Sequence, residues 1–217
     1  MVELLLKDGG LRINARLVDS DETFLHVAAI TSCDSEVPVI RRLVRAGAVV
    51  STPNIRTWSE HRHDWFRPFI ECFDGKTFYG EDLRELVKMM LDADADINAK
   101  DNDEVSPIQC AVYTSDLELV TALIDAGADV NNRNCNDVTS QLQHRERLST
   151  ALHWAVQLNI DNSHKRMIRM LMEFGSNENH ANENGETPFH YILQFGDIDM
   201  SNLFSRWRSI TCPIETD

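Results

Sequence analysis

The apolar positions between residues 105 and 133 fall into two short helical stripes separated by a polar break. Ile108, Ala111 and Val112 stand three and four apart, which predicts one apolar helix face. Pro107 fits the first position of that helix, where its missing N–H costs nothing, and Ser106 is a suitable cap. Ser115 and Asp116 interrupt the pattern as a turn. Leu117, Val120, Leu123 and Ile124 then resume the helical spacing, and Gly127 supplies the left-handed residue that ends the second helix. Residues 128–133 are polar and Asn-rich, which predicts an extended turn. The unit is therefore two antiparallel helices followed by a projecting loop.

Altered copies of this unit run through the chain. Residues 4–10 align with 122–128 only, so the first unit lacks its first helix, and Ile13-Asn14-Ala15-Arg16 follows as its finger. A fuller copy opens at Thr23-Phe24-Leu25-His26, and its second helix, 39–46, closes on Gly47. The following loop lacks both the Asp and the Asn of the other loops, so a reshaped finger is expected there. Residues 52–65 form an aromatic, His-bearing loop before Arg67-Pro68-Phe69-Ile70 reopens the pattern. Asp82 is the expected cap of a helix over 83–91, with Leu83, Leu86, Val87 and Met90 on its apolar face and Asp94 at the glycine position. After a long finger over 132–148, Thr150-Ala151-Leu152-His153 opens a further unit whose second helix carries Met167, Ile168, Leu171 and Met172. Gly185-Glu186-Thr187-Pro188-Phe189-His190 opens the last, with a second helix expected near 200–207.

Ser106-Pro107-Ile108-Gln109 resembles the T-P-L-H opening of an ankyrin repeat, Leu117-Glu118-Leu119-Val120 the start of its second helix, and Ala126-Gly127-Ala128-Asp129-Val130-Asn131 its loop and finger. The resemblance implies an all-α repeat solenoid, an ankyrin stack of helix-turn-helix units with β-hairpin-like fingers. It implies one domain over 1–217, with units near 1–20, 21–51, 66–98, 104–131, 148–178 and 185–210, the first and last being partial, either as caps or as units cut from a longer stack. The steps from Leu25 to Phe69, Ile108, Leu152 and Phe189 are 44, 39, 44 and 37 residues. An uninterrupted unit is about 33, so each step contains an insertion, which a solenoid tolerates because each unit touches only its neighbours.

Charge narrows the partner. Of 217 residues, 21 are Lys or Arg and 35 are Asp or Glu, a net charge of −14. Such a surface repels nucleic acid and anionic membranes and favours a protein with a basic segment. No apolar run approaches the roughly 18 residues of a membrane span, and the N-terminus lacks the basic flank of a secretion signal. Cys33, Cys72, Cys110, Cys135 and Cys212 are odd in number and widely spaced, which predicts reduced thiols and an intracellular protein, cytoplasmic and nuclear.

Candidate chemistry is sparse. His26, His153 and His190 recur at one place in the unit, where the family uses His for structural hydrogen bonds. His61, His63, Asp64 and Cys72 lack the ligand spacing of a stable zinc site. No phosphate-binding glycine loop, nucleophile elbow or metalloprotease helix occurs, so neither catalysis nor a cofactor or metal is expected. Trp58 and Trp65, with Phe66, are either contact anchors or a cover over a widened junction. Arg41, Arg42 and Arg45, and Lys165, Arg166 and Arg169, are expected on solvated helix faces. Asp92, Asp94, Asp96, Asp101, Asp103 and Glu104 oppose one cation, Lys100, and neighbouring fingers would align them with Asp125 and Asp129 along one edge. The resemblance implies a non-catalytic binding module acting through fingers and groove, similar to inhibitors of the IκB type that hold transcription factors. A substrate-recruiting adaptor of a ubiquitin ligase, or a non-catalytic subunit of an enzyme complex, is the alternative.

Overall fold

In the computed structural model the described residues are 12–18, 22–31, 37–50, 80–100, 104–134, 148–158, 162–195, 200–202 and 204–205. Their helices are α1 (Phe24–Thr31), α2 (Val37–Arg45), α3 (Gly80–Asp92), α4 (Pro107–Tyr113), α5 (Leu117–Asp125), α6 (Ala151–Gln157), α7 (Asn162–Glu173) and α8 (Pro188–Phe195). Local chemistry sets several of the starts. Before α4, Gln109 Oε1 accepts from both the backbone N–H and the hydroxyl of Ser106, each at 3.0 Å. Before α5, the Asp116 carboxylate accepts the Leu119 N–H at 2.9 Å, satisfying a donor that the helix leaves open.

The second helices share one ending. Gly127 has φ 92°, and Ala128 N–H returns to Leu123 C=O at 2.9 Å, a Schellman-type closure. Gly47 and Gly175 repeat it, and Asp94 takes the same left-handed place at φ 63°.

Pairing follows from the apolar faces. α1 packs on α2, α4 on α5 and α6 on α7. Across units, α4, α6 and α8 make one row, and α2, α3, α5 and α7 make the other, so the fold is an all-α repeat solenoid. α3 lies in the row of second helices, as its register predicts. Its expected partner near Pro68 lies outside the described residues.

Leu83, Leu86, Val87 and Met90, and Met167, Ile168, Leu171 and Met172, are all buried as their spacing predicts. On α5 the buried face is wider than expected: Leu119 and Ala122 are buried beside Val120, Leu123 and Ile124, whereas Leu117 is half-buried. α5 meets α4, α3 and α7, so three surroundings rather than one hide its side chains.

Two expectations, for Asp82 and Arg41, need correction. Asp82 is not the cap of α3, because the helix already runs from Gly80 and places Asp82 inside its first turn. Among the described residues the fingers carry one isolated bridge, antiparallel, Arg16 with Thr23. Of the loop after Gly47 only 48–50 lie among the described residues, and there Ala48 N–H reaches Leu43 C=O at 3.0 Å, closing the helix as in the other copies. Arg41 does more than face solvent; its guanidinium reaches Glu85 at 3.1 Å and ties α2 to α3.

Candidate protein-binding surface

The recurring histidines are structural. Thr23 N–H donates to His26 Nδ1 at 3.1 Å, Thr150 N–H to His153 Nδ1 at 3.1 Å, and Thr187 N–H to His190 Nδ1 at 3.0 Å. Accepting at Nδ1 places the proton of a neutral ring on Nε2, and His153 Nε2 faces Glu186 C=O of the next unit at 3.2 Å. Burial lowers the His153 pKa to about 4, against the opposing pull of the Glu186 carbonyl. Gln109 fills the same role in the preceding unit, donating from Nε2 to Ser149 C=O at 3.0 Å. A side chain without an acid–base function does the same job, which argues for a clamp between units.

Loop starts are joined by an asparagine ladder that the periodicity does not announce. Asn14 Oδ1 accepts Val49 N–H at 2.8 Å, Asn98 Oδ1 accepts Asp129 N–H at 2.8 Å, and Asn131 Oδ1 accepts Asn177 N–H at 2.7 Å. The Asn14 and Asn131 amides also donate to Gly47 and Gly175 carbonyls. The signal is present as Asn four residues beyond Gly10, Asp94 and Gly127.

This ladder brings expected site residues together. Asp96 Oδ1 accepts Asn98 N–H at 2.9 Å, and Asn98 in turn holds the backbone of Asp129, so the two aspartates lie on adjacent rungs. Asp129 Oδ1 closes the same local turn on Asn131 N–H at 2.9 Å. Each is thus a turn residue that still faces solvent. Asp92, Asp94, Asp96, Asp125 and Asp129 are exposed, and none is in an ion pair with another described residue. Asp101, Asp103, Trp58 and Trp65, like His61, His63 and Cys72, lie outside the described residues.

Two nearby cations, Lys100 and Arg133, are spent inside the stack. Lys100 Nζ donates to Arg133 C=O at 2.7 Å and meets Glu104 at 3.3 Å. The Arg133 guanidinium donates to Leu148 C=O at 3.1 Å and to Ala181 C=O at 2.6 Å. Both are half-buried, holding three successive loops together and leaving the outward carboxylates unneutralised.

Two models of ankyrin repeats match the chain, one described as three copies at residues 78–159 and one described as many copies at 152–204, together spanning 78–204. The chain belongs to the ankyrin-repeat family. No curated protein matches it. Among solved structures it is similar to EF0377, described as an ankyrin repeat protein, at 19% identity and TM-score 0.71, covering 94% of this chain and 89% of that one. That likeness establishes the fold. Ankyrin repeats are protein–protein interaction modules, generally non-catalytic, so the exposed row of loops is a candidate surface for a protein partner.

Proposed function

We propose that this ankyrin stack binds a basic segment of a partner protein along the acidic edge formed by Asp92, Asp94, Asp96, Asp125 and Asp129. The observation that carries the reading is the division of labour among charges: Lys100 and Arg133 are tied to backbone carbonyls, whereas the aspartates point outward without ion pairs among the described residues. A net charge of −14 extends the same field over the molecule. An inhibitor of the IκB type suits this surface, because the basic nuclear-targeting stretch of a transcription factor has the complementary charge. Such a protein would act in the cytoplasm and nucleus.

The test uses a Lys/Arg-rich peptide and the triple variant Asp94→Asn, Asp96→Asn, Asp129→Asn. Asn177 Oδ1 already accepts Asn179 N–H at 2.9 Å in the corresponding turn, so amides preserve the loops. Association should slow several-fold at low salt, with melting nearly unchanged, since steering acts mainly on the encounter rate. Equal association rates for wild type and variant would reduce the edge to a solubility feature. Cross-linking in cells then separates an inhibitor, bound to a transcription factor, from an adaptor or subunit bound to a ligase or catalytic chain.

A further inference from the structure

The acidic edge has a partly apolar notch with a charged rim at its N-terminal end, between α2 and α3. Its volume is about 450 Å³, with Val44, Met89 and Ala93 as the apolar lining. Val44 is buried, while Met89 and Ala93 are half-buried. One wall is held by Glu85, which Arg41 and Arg45 approach from α2 at 3.1 and 3.8 Å. Lys88 and Asp92 complete the rim, one helical turn apart and in no ion pair with a described residue. Asp92 also begins the acidic loop, so notch and edge are continuous.

The residue before the left-handed loop position is Ala93 after α3, Ala126 after α5 and Phe174 after α7. Phe174 is 51% exposed, so a ring at this position is compatible with the fold.

We propose that the notch receives one leucine-sized or aromatic side chain of the partner, placed beside the lysines or arginines that lie along Asp92, Asp94 and Asp96. This rests on the acidic-edge reading and adds what steering alone lacks, an apolar anchor that slows dissociation. Charge complementarity sets the direction: the anchor sits at Val44 and Met89, and its basic neighbours run toward Asp96.

Two labelled peptides test it, one with leucines set among lysines and arginines, the other with those leucines replaced by alanine. Wild-type protein should bind the leucine peptide about tenfold more tightly, the scale for burying one such side chain. The Met89 methyl resonance should shift with the leucine peptide alone. Ala93→Phe should abolish the preference and leave affinity for the alanine peptide unchanged. Equal affinities in wild type, or a Met89 signal that ignores the leucine peptide, would overturn the notch. The acidic edge would survive that result if the triple Asp→Asn variant still weakened both peptides. If neither peptide bound wild type, both readings would fall.

Discussion

A histidine at 1% exposure, His153, carries a pH dependence that can be stated with its sign. Its folded pKa is lowered to about 4 from 6.5, chiefly by burial. Above pH 6.5 both folded and unfolded chains hold it neutral. As pH falls from 6.5 toward 4, the unfolded chain takes up a proton that the folded chain refuses, so stability declines. The full loss is about 3 kcal/mol, at ~1.4 kcal/mol per pH unit. His153→Gln should therefore flatten the drop in melting temperature between pH 7 and pH 5 while changing the pH 7 value little, because Gln109 makes equivalent bonds in the preceding unit. Parallel pH profiles for wild type and variant would assign the acid sensitivity elsewhere. Recurrence made the structural role of these histidines legible in the sequence. The reach of His153 into the next unit was not, because Glu186 lies 33 residues away.

Helix by helix, the apolar spacing foretold the core well on α3 and α7. On α5 it underestimated burial, because that helix sits among three neighbours and even its off-stripe Leu119 is 1% exposed. Leu123 is 0% exposed at the centre of this arrangement. Leu123→Ala should cost about 2–5 kcal/mol, combining lost transfer energy with an unfilled cavity. Thermal or urea unfolding measures it; an unchanged midpoint would contradict the packing. Further ties lie beyond any helical period: Ser115 Oγ meets His164 Nε2 at 2.9 Å, and Thr121 Oγ1 meets Met170 Sδ at 3.3 Å, each 49 residues away.

Across the whole molecule, stability depends on how units hold one another, since each contacts only its neighbours. The asparagine ladder is one such coupling. Asn98→Ala would leave the Asp129 N–H without its acceptor and should cost about 0.5–1.5 kcal/mol, the net worth of a typical hydrogen bond. Amide exchange at Asp129 should quicken more than exchange within α5, whereas equal protection in both proteins would show that the rung is dispensable. The same couplings shape the binding surface. By seating Lys100 and Arg133 on carbonyls, the stack removes two cations from the field that a partner meets.

The sequence by itself determined the repeat, its helix pairs, most caps and the excess of carboxylates, because these depend on residue types within a few positions of one another. Burial of the apolar stripes also followed from i, i+3 and i+4 spacing. Only the tertiary structure decided which carboxylates stay exposed, which cations are consumed, and that Asp96 and Asp129 share Asn98. Those outcomes depend on stacking residues from successive units side by side. Local periodicity contains no distance between units, so a finger rich in aspartate looks the same whether its neighbours neutralise it or leave it open to a partner.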